Sequence, residues 1–239
     1  MKKTMIITLT AITVLISASI LLKVQADASL AKNETLQSEN NKSTTMNNKS
    51  TTMNIESTIL EGKTIVIDAG HGGRDVGATG QSGIHEKDIT LQTALNIQRE
   101  ITKRTGANVI MTRDKDESLT KSERVEIAKN HAADLFISIH FDAYTTNDVS
   151  GITTYYNKSE DKQLAKVMNK QIFKQNMDTR DRGVAQGDYY VLRENTSPSL
   201  LLELGYISNS EDEQRIQTQA FQTKIADGVT DGIITYFTK

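Results

Sequence analysis

The feature that most constrains the fold is a glycine-rich string directly after an apolar, β-rich run. Thr64-Ile65-Val66-Ile67 is typical of a buried strand, and the string that follows is Asp68-Ala69-Gly70-His71-Gly72-Gly73. Glycine lets the backbone turn sharply and leaves space beside neighbouring groups. A histidine in this setting is poorly suited to core packing and well suited to holding a metal ion. The string therefore predicts a strand that ends in a metal-binding turn.

Strand-like and helix-like patterns alternate over residues 58–239. This alternation predicts a single α/β domain with a mainly parallel twisted sheet flanked by helices. Ligands of such sheets bind beyond the carboxyl ends of the strands. The predicted strands are Lys63–Asp68, Asn108–Thr112, Asp134–His140, Ile152–Tyr156, Tyr189–Leu192 and Leu200–Leu204, and the predicted helices are Asp88–Arg104, Thr120–Ala132, Glu160–Gln175 and Thr218–Phe237.

Residues 1–57 have a different character. Residues 1–28 combine Lys2 and Lys3 with the apolar run Met5–Leu22 and the small-residue sequence Ala26-Asp27-Ala28, which is typical of an export signal. The length of the run also fits an uncleaved membrane anchor. Residues 29–57 are polar and contain a duplicated heptapeptide, NKSTTMN, which predicts a disordered linker. Both interpretations place the following domain outside the cytoplasmic membrane.

Composition narrows the chemistry that the domain can use. The chain has no cysteine, so a metal ion must be held by His, Asp or Glu. The formal net charge is −2 and the sequence has no contiguous basic block, which argues against a nucleic-acid partner.

Candidate metal ligands follow two of the predicted strands. His71 comes just after the first strand and His140 ends the strand Leu135–Ile139, so both lie at the same edge of a parallel sheet. A catalytic zinc site needs a third protein ligand and one open position. Glu86 and His85 both precede the first long helix, and neighbours in extended chain point to opposite sides. The residue chemistry alone leaves the choice between them open.

Glu203 stands inside the apolar sequence Leu200-Leu201-Leu202-Glu203-Leu204. A carboxylate buried on such a strand is costly unless it faces a cation or takes part in proton transfer. Its surroundings would also perturb its pKa, as expected of a general base.

Together these residues resemble the zinc-dependent N-acetylmuramoyl-L-alanine amidases, in particular the type-3 amidase catalytic domain of bacterial cell-wall hydrolases. The resemblance covers about residues 63–237 and depends on separated blocks in a fixed order. The blocks are IVIDAGHGGRDVGA at Ile65–Ala78, Glu86-Lys87-Asp88, MTRDKD at Met111–Asp116, ERVEIA at Glu123–Ala128, SIHFDA at Ser138–Ala143, RGVAQGDYYVLR at Arg182–Arg193 and SPSLLLELGYISNSEDE at Ser197–Glu213.

The resemblance implies one Zn²⁺ held by His71, Glu86 and His140, with Glu203 as the catalytic carboxylate. It thus favours Glu86 over His85. The implied reaction is hydrolysis of the amide bond between N-acetylmuramic acid and L-alanine of the stem peptide. In it Glu203 accepts a proton from the attacking water and delivers it to the leaving amine. The implied partners are the glycan strands and stem peptides of peptidoglycan. The implied enzyme is an exported, wall-associated autolysin, with a membrane tether if the N-terminal segment is an anchor.

Three further residues are candidates for supporting roles. Asp68 is expected either to orient His71 or its turn, or to be a simple turn carboxylate. Arg113 is expected to contact substrate carboxylates or to form a surface ion pair. Asp142, where relatives often have asparagine, adds negative charge two residues after a ligand and is expected to tune the metal or the substrate.

Two other functions are compatible with similar residues. A zinc peptidase or deacetylase of wall polymers would apply the same metal chemistry to another amide. A non-catalytic wall-binding module is disfavoured because all four site residues are present.

Overall fold

The computed structural model describes residues 58–239, where six strands form one sheet. The strands are β1 Thr64–Ala69, β2 Asn108–Met111, β3 Leu135–Asp142, β4 Ile152–Tyr156, β5 Asp181–Gln186 and β6 Ser199–Tyr206. Their order in the sheet is β2-β1-β3-β6-β4-β5. Parallel pairs join β1 to β2, β1 to β3, β3 to β6 and β4 to β5, whereas β4 is antiparallel to β6. The predicted mainly parallel sheet is therefore confirmed.

The helices begin and end where local sequence signals direct them. Gly106 closes the first helix in the left-handed conformation, with φ of 70°. Thr120 and Glu123 form a capping box at the start of the second helix. The helices are α1 Glu86–Thr105, α2 Lys121–Asn130, α3 Lys162–Phe173, α4 Tyr190–Arg193, α5 Ser210–Ile216 and α6 Gln219–Phe237.

Helices cover both faces of the sheet. Ile65 and Ile67 of β1 face a large apolar core that includes residues of α1, α3 and α6. Val66 points to the other face, into a smaller core with Ala128 of α2 and Leu192 of α4. This alternation follows from the two-residue period of a strand. The result is a three-layer α/β domain, as the sequence predicts.

The short helix α5, Ser210–Ile216, was not predicted. Two further segments also differ from the sequence prediction. Tyr189–Leu192, predicted as a strand, lies at the start of the short helix α4, where Val191 and Leu192 pack into the smaller core. The edge strand β5, Asp181–Gln186, was not predicted because only Val184 and Ala185 in it are apolar. Tertiary packing and edge pairing, rather than local pattern, decide both segments.

The predicted signal or anchor (1–28) and the predicted linker (29–57) lie outside the described residues. Within residues 58–239 no helix combines the length and apolar character needed to cross a membrane.

Candidate active site

His71 lies in a tight turn directly beyond β1. Its backbone is in the left-handed region, with φ of 58°, which is uncommon for a residue with a side chain. Gly72 follows with φ of 128°, and a Cβ there would lie 2.3 Å from the carbonyl oxygen of Glu117. The glycine is therefore required by the close approach of a neighbouring loop. This turn presents the His71 imidazole above the sheet edge.

Two buried arginines bind the carbonyl groups of this turn. Arg113, 2% exposed, donates from Nε to the Ala69 oxygen at 2.9 Å and from Nη2 to the Gly70 oxygen at 2.7 Å. Arg124 donates to the carbonyl oxygens of Ala69 and His71, both at 2.7 Å. Hydrogen bonds from a charged group to three successive carbonyls fix the turn in its unusual conformation.

Asp68 supports this turn from below without touching the His71 ring. Its carboxylate accepts hydrogen bonds from Arg124 Nη1 at 2.6 Å, Thr112 Oγ1 at 2.6 Å and Ser138 Oγ at 2.7 Å. Burial raises the pKa of Asp68, but the Arg124 charge and these hydrogen bonds outweigh burial and hold the pKa below its ordinary value. Asp68 thus acts on the turn through Arg124.

Arg113 is buried, so it does not form the surface ion pair offered as one alternative, and its contact with substrate stays a prediction. The guanidinium is buried and its hydrogen bonds go to backbone carbonyls and to Thr90. Sequence reasoning missed the role of Arg124 altogether, although this residue lies within the ERVEIA block.

His71, Glu86 and His140 converge beyond the ends of β1 and β3. Glu86 Oε1 lies 3.0 Å from His71 Nε2 and 3.0 Å from His140 Nδ1. One candidate ligand atom from each residue falls within 4.8 Å of the others. The carboxylate is held by two backbone amides, of Phe141 to Oε1 at 3.1 Å and of Ala78 to Oε2 at 2.9 Å. The group is therefore positioned by the fold.

Charge in this group is strongly coupled. Burial raises the pKa of Glu86, but hydrogen bonds and charge interactions with His140 and His71 hold it well below its usual range. Burial lowers the pKa of His71, whereas Glu86 and Asp75 raise it, with a net increase. Asp75 Oδ2 lies 3.0 Å from His71 Nδ1. The approach lacks hydrogen-bond geometry, so Asp75 acts on the His71 ring through its charge.

Glycines leave the space that these side chains occupy. A Cβ on Gly70 would lie 2.4 Å from the His140 ring, and one on Gly77 would lie 2.6 Å from Glu86 Oε2. These glycines therefore leave space for the side chains of His140 and Glu86.

The donor set fits zinc. Three nitrogen and oxygen donors with one direction open to a cleft is the arrangement of catalytic zinc sites. Donor atoms of a tetrahedral zinc lie roughly 3.3 Å apart, close to the two 3.0 Å separations observed here. His85, the alternative third ligand, is outside this group and contacts Thr79 Oγ1 at 3.1 Å instead. His131 caps α2, with its Nδ1 2.8 Å from the Ile127 carbonyl oxygen.

Glu203 lies on β6 in register with His140 on β3. Its side chain is 7% exposed, and Oε2 has no hydrogen-bond partner among the described residues. Burial, together with the negative charges of Asp142 and Glu86, raises the pKa of Glu203 well above its ordinary value. Asp142 follows a β-bulge in β3, and its charge contributes to the raised pKa of Glu203.

The site opens into a cleft of about 330 Å³. His71, His140 and Glu203 line it together with Lys121, Tyr189 and Tyr190. Tyr189 packs edge-on against Tyr155, with ring centroids 5.0 Å apart. A metal-binding group and a buried carboxylate thus face one solvent-accessible space, which is the arrangement needed for hydrolysis of a bound substrate.

Known proteins resemble this chain in sequence and in fold. Residues 65–235 match the family model described as N-acetylmuramoyl-L-alanine amidase. The chain is 41% identical over 181 residues to the uncharacterized protein YqiI of Bacillus subtilis (strain 168), an alignment covering 74% of this chain and 86% of that one. It is 41% identical over 179 residues to the probable cell wall amidase LytH of Staphylococcus epidermidis (strain ATCC 12228), covering 74% of this chain and 59% of LytH.

Among solved structures, the catalytic domain of CwlV, an N-acetylmuramoyl-L-alanine amidase from Bacillus (Paenibacillus) polymyxa var. colistinus, is similar with a TM-score of 0.71. The two are 38% identical, and the match covers 73% of this chain and 98% of that domain. The family match extends over most of the chain and includes every strand and all of the candidate site. The chain therefore belongs to the N-acetylmuramoyl-L-alanine amidase family.

Proposed function

We propose that this chain is a zinc-dependent peptidoglycan hydrolase that cleaves the amide bond between N-acetylmuramic acid and L-alanine of the stem peptide. One observation carries the proposal beyond family membership. Glu203, a buried carboxylate with an unpartnered oxygen, lines the same cleft as the histidines of the metal-binding group. A cleft with these two features is equipped to hydrolyse an amide.

In this proposal His71, Glu86 and His140 hold the zinc ion. When bound, zinc supplies Lewis-acid chemistry, polarising the scissile carbonyl and acidifying water. Asp75 would contribute negative charge on the Nδ1 side of the His71 ring, opposite Nε2. The amides of Phe141 and Ala78 hold the Glu86 carboxylate in place.

Glu203 is proposed to move the proton. Its carboxylate accepts a proton from the attacking water and delivers it to the L-alanine nitrogen as the C–N bond breaks. Its raised pKa suits the second half of this task, because a carboxyl group of higher pKa is formed more readily near neutral pH. Asp142 contributes to that raised pKa through its charge.

Product analysis tests the proposed reaction. Digestion of purified peptidoglycan, followed by mass analysis, is expected to release intact stem peptides and to leave glycan strands with free lactyl carboxylates. Cleaved peptide cross-links would identify a peptidase, and free acetate would identify a deacetylase. Chelation is expected to stop the reaction and added zinc to restore it.

We further propose that the domain works outside the cytoplasmic membrane, joined by the segment 29–57 to a signal or anchor at 1–28. One support is the N-terminal pattern of lysines, an apolar run and small residues. The other is the similarity of the chain to the probable cell wall amidase LytH. Cell fractionation with determination of the mature N-terminus tests this. Recovery of the uncleaved protein in the cytoplasm would contradict it.

A further inference from the structure

We propose that Lys121 binds the first carboxylate of the stem peptide, that of the residue following L-alanine, and so selects substrates in which this group is free rather than amidated. The inference deepens the proposed function and rests on it. It concerns a residue outside the metal-binding group.

Lys121 is placed to meet a substrate. It is the first residue of α2, its side chain is exposed, and it lines the cleft together with His71 and Glu203. The flexible lysine side chain reaches a substrate group several bonds from the scissile amide.

The charges lining the cleft leave Lys121 as its accessible positive group. Arg124 also lines it but is 5% exposed and engaged by Asp68. Among the described residues, no carboxylate lies within ion-pair distance of the Lys121 ammonium. The other carboxylates of the lining already have partners: Asp75 faces His71, and Asp188 pairs with Arg193. Glu203 is buried beside the metal-binding group.

A lysine at this position does not stabilise the helix α2. The N-terminal end of a helix carries partial positive charge, so a cation in the first turn is unfavourable. Arg124 stands three residues further along the same helix, where a second positive charge adds repulsion. The nearby Glu123 carboxylate is engaged with the Thr120 backbone nitrogen and hydroxyl, both at 2.7 Å. A substrate carboxylate would relieve this unfavourable arrangement.

The same charges determine where a substrate carboxylate can lie. Asp75 and Asp188 offer it no donor, because both are acceptors already placed against His71 and Arg193, whereas beside Lys121 it meets an ammonium that can donate hydrogen bonds. Binding in the latter orientation leaves the scissile amide free to face the metal-binding group. Lys121 would therefore affect both affinity and the direction in which the stem peptide enters.

Two synthetic substrates that differ only in this group test the proposal: N-acetylmuramoyl-L-alanyl-D-glutamate and the corresponding D-isoglutamine compound. With the zinc-loaded unmodified enzyme, we expect the free carboxylate to give the lower KM. Lys121→Gln should raise KM for that substrate about ten-fold and leave kcat unchanged. Lys121→Glu should raise it further, while KM for the amidated substrate changes less than about two-fold. Lys129→Gln, on the exposed end of the same helix away from the cleft, is the matched control.

Binding measurements separate this inference from the proposed reaction. Titration of Glu203→Gln with each compound, with and without Lys121→Gln, reports carboxylate recognition without requiring turnover. If the unmodified enzyme cleaves neither compound but Lys121→Gln weakens binding of the carboxylate form, the proposed reaction is contradicted and the Lys121 site stands. Equal affinities for the two compounds, unchanged by Lys121→Gln, would overturn the Lys121 proposal.

Discussion

The two chemical parts of the cleft are built in opposite ways. In the metal-binding group, both oxygens of Glu86 accept backbone hydrogen bonds, and Oε1 also faces both histidines. Glu203, on β6 next to the strand that carries His140, is also buried, yet its Oε2 has no hydrogen-bond partner among the described residues. The first carboxylate has a pKa held well below its usual range, and the second has one raised well above it.

This difference shows how one fold gives two glutamates distinct chemistry. A carboxylate with several donors around it remains ionised and fixed, as a metal ligand must be. A desolvated carboxylate next to other negative charges takes up a proton readily, as an acid–base group must. The two parts should therefore respond differently to substitution, with chemistry lost at Glu203 and metal affinity lost at Glu86.

Replacement of Glu203 is expected to give the largest change. Glu203→Gln keeps the shape of the side chain but cannot transfer a proton, so kcat should fall by about 10²- to 10⁴-fold. Zinc content should stay near that of the unmodified enzyme. Turnover of a soluble muramoyl-peptide and metal analysis of the same sample measure both quantities.

Retained turnover in Glu203→Gln would refute the proton-transfer role. Loss of zinc together with loss of turnover would show that the two parts of the cleft are not separable, contrary to the comparison. Asp142→Asn tests the charge effect separately, because it removes a charge that raises the pKa of Glu203 and leaves the Glu203 side chain intact.

Replacement of Glu86 should give the converse result. Glu86→Gln removes the negative charge shared by His71 and His140 and weakens zinc binding by at least about 100-fold. Activity should then return in excess zinc to a greater extent than in Glu203→Gln. Competition with a chelator of known affinity measures the binding. Unchanged zinc affinity would contradict the assignment of Glu86 as a ligand.

The candidate metal ligands could be predicted from sequence, whereas most of the residues that support them could not. His71 and His140 follow apolar runs, and the ends of parallel strands meet at one sheet edge, so their convergence follows from pattern alone. The choice of Glu86 over His85 needed the family resemblance, because alternation in an extended segment gives two equivalent candidates.

The supporting arginines leave no comparable mark in the sequence. Arg113 and Arg124 bind carbonyl groups 43 to 55 residues away, and every residue has a carbonyl, so no side-chain pattern identifies the acceptor. The same reason explains why binding to backbone carbonyls was not among the two expectations for Arg113. The helix at Tyr190–Arg193 was missed because its apolar residues pack against the sheet and do not show a helical period in the sequence.

Arg124 provides an intermediate effect that links folding to metal binding. Arg124→Met removes the donors to Asp68, Ala69 and His71, and leaves a buried carboxylate without its cation. Breaking one side of a buried ion pair costs about 3–5 kcal/mol of unfolding free energy. Arg124→Lys keeps the charge but cannot reach all three acceptors, so it should be less destabilising and still reduce zinc affinity. Denaturant unfolding of the metal-free proteins and zinc titration measure the two effects, and unchanged zinc affinity in Arg124→Lys would show that the turn is held without this residue.

The smallest expected effect is a change in the acid sensitivity of the metal-free fold. The pKa of Asp68 is lower in the folded chain than its ordinary value of 3.8, so folding favours the ionised form. Its contribution to stability is therefore fully present above about pH 5 and is lost as the pH falls through 3.8 towards the folded pKa. In Asp68→Asn this contribution is absent at every pH, and the Arg124 charge lacks its partner. The variant should be less stable at neutral pH, and its unfolding free energy should fall less steeply with acid, by at most about 1.4 kcal/mol per pH unit relative to the unmodified protein. Urea unfolding of both proteins from pH 6 to pH 3 measures this difference, and parallel curves would mean that the carboxylate beneath the His71 turn titrates alike in the folded and unfolded chains.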